Sequence, residues 1–169
     1  SLWNKRTDKY GGDLDGRLRF SLEIIGNIKK KAGKDFPVIY RYAINHYLED
    51  GRGVEESLEI AKRLEKAGVD ALHVDAGCYD NWYWPHPPIY QPPGCMVDMA
   101  EAAKSAVKIP VITVGKLGYP ELAEKIIKGR KADFVAIGRS LLADPEWPVK
   151  AKEGRLEDIG PCLGWHGGC

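Results

Sequence analysis

Leu18, Leu22, Ile25 and Ile28 recur at three- to four-residue spacing, which predicts a helix capped by Asp13 or Asp15 and ending near Gly33. The pattern then shortens. FPVIYRYA, residues 36–43, is apolar, β-branched and aromatic, with a proline near its start, and predicts a strand. In VEESLEIAKRLEKAG, residues 54–68, Val54, Leu58, Ala61 and Leu64 form one helical stripe, and Gly68 supplies a left-handed cap. DALHVDAG, residues 70–77, is the next strand. A helix through MVDMAEAAKSAV, residues 96–107, leads to the strand IPVITVG, residues 109–115. Pro120 opens a helix that Gly129 ends, ADFVAIG at 132–138 is the fourth strand, and DPEWPVKAKEG at 144–154 predicts the last helix. Strands alternating with helices, each strand a nearly continuous apolar run, predict an α/β protein with a parallel sheet covered by helices. Doubly wound sheets and eight-stranded barrels are both built this way, and four strands suit a small open sheet or half a barrel. No G-x-G-x-x-G follows the first strand, so the simplest dinucleotide fingerprint is missing.

The chain has 169 residues, 44% of them hydrophobic, enough for one core and short for two. Its net charge of +1 and dispersed basic residues argue against nucleic acid or an anionic membrane and leave small molecules as partners. No apolar run approaches the length of a membrane span, and SLWNKRTDKYGG lacks the basic start and apolar middle of a signal peptide, so a cytoplasmic location is expected. Four cysteines, two flanking a central loop and two in the tail, favour reduced thiols or metal ligands over a disulfide framework. The chain opens on Ser1 in a polar stretch that reads as the middle of a loop, and is expected to be a piece of something longer.

In this architecture the chemistry gathers where strands end and loops begin. Arg41 lies inside the apolar VIYRYA, where a guanidinium needs an anion or several acceptors; an ion pair with Asp75 and a ligand contact satisfy that need equally. The third and fourth strands end in VGKLG and IGRS, each a glycine followed by a cation. Gly115 and Gly138 would let backbone N–H groups approach an anion, Lys116 and Arg139 would add charge, and the recurrence points to one phosphate gripped by two loops. The loop CYDNWYWPHPPIYQPPG, residues 78–94, carries Tyr79, Trp82, Tyr83, Trp84, His86 and Tyr90. A loop of this length is expected to form a pocket wall, a self-packed surface or an oligomer contact. His86 has no carboxylate placed in sequence to orient it, and Cys78 and Cys95 read as small apolar fillers.

The stretches NKRTDKYGGDLDGRLRF, VIYRYA, VITVGKL and FVAIGRSLLADPEWPVK together resemble the old yellow enzyme family. The resemblance is to its branch of 2,4-dienoyl-CoA and 2-enoate reductases that carry an iron–sulfur cluster, and the aromatic loop looks most like the enoate reductase side. The resemblance implies a partial (β/α)8 TIM barrel of about four βα units, strands five to eight: residues 1–155 would be the carboxyl-terminal half of a flavin-binding barrel and 156–169 the start of an iron–sulfur-type tail. It implies FMN as cofactor and NAD(P)H as reductant, with Arg41 at the flavin's pyrimidine edge and Gly115, Lys116, Gly138 and Arg139 around its phosphate. Tyr79, Trp82 and Tyr83 would face a small-molecule alkene. A half-barrel leaves unpaired strand edges, so the chain is expected to be inactive alone and to meet a missing half-barrel or a second copy.

The family's tail reads C-x-x-C-x-x-x-C, a cadence that holds a 4Fe-4S cluster. Here Cys162 and Cys169 match the first and third ligands, Trp165 stands at the second, and the fourth position falls beyond residue 169. Indole does not ligate iron, and adding His166 gives only three ligands in a loose tail, so a metal is not expected on the chain as written. Two other readings stay open: a non-flavin aldolase or isomerase that takes a sugar phosphate in the same loops, and a non-catalytic half-barrel that dimerises through its edges.

Overall fold

The computed structural model describes residues 2–165, so Cys169 and His166 lie outside the described residues. Asp13 caps the first helix, α1 (Leu14–Ala32), its Oδ1 accepting the Gly16 N–H at 2.9 Å, while Lys29, Lys30 and Lys31 sit at the opposite, negative end of the helix dipole. Strand β1 (Ile39–Asn45) is followed by α2 (Val54–Lys66), and β2 (Ala71–Ala76) by the aromatic loop and α3 (Val97–Ala106). Then come β3 (Val111–Thr113), α4 (Pro120–Lys128), β4 (Phe134–Val135), and two short helices, α5 (Arg139–Ala143) and α6 (Trp147–Lys152). The strands pair in parallel in the order β1-β2-β3-β4, each βα unit placing its strand beside the last, as in an arc of a β/α barrel.

Burial decides which face of that arc meets the helices. Along β2, Leu72, Val74 and Ala76 are fully buried while Ala71, His73 and Asp75 alternate with them, and β1 alternates likewise, with Tyr42 and Ile44 inward. Helices cover one face, and the other leaves Ile39 and Phe134 more than half exposed. Leu18 and Ile25 of α1, Ile60, Ala61 and Leu64 of α2, and Ala100 and Ala103 of α3 close over the covered face. Each large aliphatic side chain sealed there contributes about 1.5–3 kcal/mol. The α2 stripe runs through Ile60 with Ser57 beside it. Ser57 tolerates full burial because its Oγ accepts from the Arg52 Nε at 3.0 Å and its carbonyl from the Tyr42 hydroxyl at 2.9 Å.

The predicted ends of elements shift where backbone geometry decides. Gly68 has φ +93, as a left-handed cap requires, but Gly129 is right-handed and the left-handed residue is Arg130 at φ +57. The fourth strand contracts to two residues; Asp133 N–H to Val111 O and Ala136 N–H to Thr113 O, both 2.8 Å, carry its ends. Among the described residues no helix is long and apolar enough to cross a membrane.

Candidate functional site

At the carboxyl ends of the strands a cleft of about 220 Å³ opens between the β3–α4 and β4–α5 corners. Gly115, Lys116, Gly138, Arg139 and Arg41 all line it, so the two glycine–cation corners and the strand arginine share one space. The corners abut: a β-carbon added to Gly118 would lie 1.9 Å from the Ser140 hydroxyl, and the Trp147 indole donates to Gly118 O at 2.9 Å from the start of α6. At Gly138 an added β-carbon would meet nothing within 4 Å, so the backbone there borders open space. Arg41, Lys116 and Arg139 bring three cations to the lining, and among the described residues no Asp or Glu joins them. Such a wall attracts anions.

Arg41 is fixed by the ion pair the sequence allowed: its Nε and Nη2 both donate to Asp75 Oδ2, the former at 3.2 Å. The carboxylate is largely covered while the guanidinium is 53% exposed, so Asp75 orients a cation that remains accessible. His73, the in-register neighbour of Arg41 on β2, has its pKa pulled below the ordinary histidine value, chiefly by burial and further by the Arg41 charge.

Lys116 lines the cleft, and its ammonium donates to three carbonyls of the aromatic loop, Pro88 at 3.1 Å, Ile89 at 2.9 Å and Gln91. Tyr79, Trp82 and Tyr83 do not line the cleft. The loop reaches it through Pro85, His86 and Pro87. Behind His86, Trp82 stacks at 3.9 Å and 14° between planes, and Tyr79 stacks on Trp82 at 5.1 Å and 19°. A separate pair, Tyr47 and Trp84, stacks at 4.0 Å and ties the loop to the end of β1. Asn81 anchors the loop's entrance, accepting from Cys78 N–H at 2.7 Å and donating to the carbonyls of His46 and Tyr47. Sequence reasoning set His86 aside for want of a carboxylate. Its position two residues beyond a tryptophan-rich run, between prolines that stiffen the chain, was the available signal.

The described part of the tail, up to Trp165, is tied to the body of the fold. Asp144, 5% exposed, accepts from the Lys150 ammonium at 2.8 Å and the Gly160 N–H at 2.9 Å, and from there Pro161, Cys162 and Gly164 run along the cleft. Trp165 is 80% exposed, and among the described residues no group of three or more His, Cys, Asp or Glu side chains could hold a metal ion. Cys95 borders the β3–α4 corner, its thiol pushed up by burial, which keeps it a protonated filler; the nearby charges of Lys116 and Arg139 only partly offset this.

Comparison with known proteins gives this arrangement its family. The sequence pattern of the NADH:flavin oxidoreductase / NADH oxidase family matches residues 1–158. The chain is 50% identical to an NADH oxidase of Thermoanaerobacter brockii over 170 residues, 98% of this chain and 26% of that protein. It is 44% identical to a cinnamate reductase of Clostridium sporogenes over 183 residues, the whole of this chain and 28% of the relative. Among solved structures, a 2-naphthoyl-CoA reductase in complex with 2-naphthoyl-CoA superposes with a TM-score of 0.94 at 35% identity, covering 99% of this chain and 26% of that one. The chain thus spans about a quarter of the length of these relatives. With four parallel strands in barrel order and a match from Ser1 to Asp158, this chain belongs to the NADH:flavin oxidoreductase / NADH oxidase family.

Proposed function

We propose that this chain is the flavin-holding part of an FMN-dependent, NAD(P)H-driven reductase that acts on an activated alkene, an enoate or its thioester. One observation carries the reading: Arg41, Lys116 and Arg139 line a single cleft that has no carboxylate in its described wall. That donor set suits a nucleotide phosphate, and the open backbone at Gly138 suits close approach of an anion. Bound FMN would supply hydride from its N5 to the alkene's β-carbon, after reduction by a nicotinamide.

The chain's own residues bind and orient. Gly115, Gly138 and Arg139 hold the phosphate end, and Lys116 adds positive potential to the wall. Arg41, steadied by Asp75, meets the pyrimidine edge, where a fixed cation offsets negative charge without waiting for solvent to reorganise. His86, backed by Trp82 and Tyr79, forms the substrate side of the cleft, with Tyr83 at the loop's outer surface. The names of the relatives, a cinnamate reductase and a 2-naphthoyl-CoA reductase, support a planar conjugated acyl group as substrate. Residues 1–155 belong to the flavin barrel and 156–169 to the tail that follows it. Complete turnover, with its proton donor and any partner half-barrel, belongs to the longer protein of which this chain is a part.

The test is retention of colour. After mixing with FMN and removing free flavin, the chain keeps visible absorbance, and Arg139→Ala or Arg41→Ala lowers affinity roughly tenfold, as expected for one charged hydrogen bond. A colourless chain, or full retention in both variants, overturns the assignment.

A further inference from the structure

The aromatic loop has a shortage of donors. Between Pro87 and Pro93 the sequence PPIYQPP contains four prolines, which carry carbonyls but no N–H. Within this run the loop closes with one backbone bond, Gln91 N–H to Pro88 O at 3.1 Å. A side chain supplies three further donors. An ammonium has three N–H donors, and all three of Lys116 go to this segment, to Pro88, Ile89 and Gln91. The same corner adds a fourth tie, Gly94 N–H to Gly115 O at 3.0 Å.

The backbone at the corner points the same way. Gly115 has φ +114 and Lys116 has φ +52, a left-handed conformation that glycine or asparagine adopts more readily than lysine. A lysine kept there is compensated by what its side chain does. Gly164 of the tail rests on the same segment, an added β-carbon there lying 3.2 Å from Ile89 N, so the clamp sits where corner, loop and tail converge.

We propose that Lys116 is a positioning residue: it clamps the exit of the aromatic loop, and thereby sets His86 and its stacked backing at the cleft wall, instead of ligating the cofactor phosphate. This rests on the flavin reading for what the wall faces, but the clamp itself is decided without flavin.

Three variants of the chain separate the roles, because Arg keeps the charge while its planar fork cannot reproduce three bonds converging on one nitrogen. Lys116→Met and Lys116→Arg both speed amide hydrogen exchange at His86, Gln91 and Gly94 by about tenfold or more. Binding of FMN and of riboflavin, which lacks the phosphate, supplies the second measurement. Arg139→Ala lowers the FMN-to-riboflavin affinity ratio, whereas Lys116→Met keeps it within about twofold of the unsubstituted chain. In the FMN-loaded chain, the concentration of an aryl 2-enoate that half-perturbs the flavin spectrum rises about fivefold in Lys116→Met, a binding signature that general loosening elsewhere would not produce. Unchanged loop exchange in Lys116→Met, or a fall in the FMN-to-riboflavin ratio matching that of Arg139→Ala, overturns the proposal. Failure of every form to retain flavin overturns the flavin reading alone, since hydrogen exchange still decides the clamp.

Discussion

Gly118 and Ser140 meet without room for a methyl group: a β-carbon on Gly118 would lie 1.9 Å from Ser140 Oγ and 2.7 Å from Ser140 Cβ. Rotating the hydroxyl relieves the first contact, and only backbone movement relieves the second. Gly118→Ala is therefore expected to push the two corners apart at a cost of about 1–3 kcal/mol, with a lower melting temperature and weaker flavin retention. Adding Ser140→Gly removes the obstructing atoms and restores most of the loss. Thermal melts of the single and double variants form the cycle, and additive effects of the two changes would sink the explanation.

Asp75→Asn tests how the strand arginine is held. The amide keeps the shape but loses the charge that gathers both guanidinium donors onto one oxygen. The fold survives, with unchanged far-ultraviolet circular dichroism. FMN affinity falls roughly fivefold, less than for removal of Arg41, because the cation remains but samples more orientations.

Acid is expected to release the tail. The Asp144 carboxyl is held below its ordinary value of 3.8, first by Lys150 and then by the Gly160 and Glu146 N–H groups. A depressed folded-state pKa contributes stability that is present above the unfolded value and is lost as pH falls through the folded one. Tail docking should thus hold down to about pH 4 and fail below it, seen as faster proteolysis after Ile159. Asp144→Asn shows the released behaviour already at neutral pH.

The fold is also expected to weaken between neutrality and pH 5 through its histidines. His46 Nδ1 accepts the Arg52 N–H at 3.2 Å, which requires the unprotonated ring nitrogen, and burial pulls its pKa below 6.5, with the Arg52 charge adding to the effect. His73 is lowered in the same direction. For such groups the unfolded chain binds the extra proton, so stability is full above 6.5 and declines as pH drops toward the folded values. His46→Asn keeps an acceptor near the Nδ1 position and removes the titration, so denaturation midpoints measured from pH 7.5 to 5 flatten in part. His73 contributes to the slope that remains.

Much of this was legible in the chain. The helices announced themselves through apolar spacing and caps, and Asp13 and Gly68 act as their chemistry requires. The glycine–cation corners pointed to one another because strand order in a βα arc places successive loops side by side. What stayed hidden was set by non-local partners. The apolar runs of β1 and β2 gave no sign that one face would lack helices, since residues such as Ile39 look the same whichever way they point. Helix α5 has five residues and too few turns to show a period. The destination of the Lys116 ammonium depended on carbonyls some 25 residues earlier in the chain, and charge alone pointed it to a phosphate.

The proline-rich exit of the aromatic loop bears on any effort to redesign what the cleft accepts. Three of its carbonyls accept from one lysine, so diversity introduced at residues 87–93 would be filtered by that tether before selection for a new substrate could act. Positions 82–86 lie upstream of it, between the Asn81 anchor and the clamp, and are where a mutational library would reshape the cavity while the frame holds.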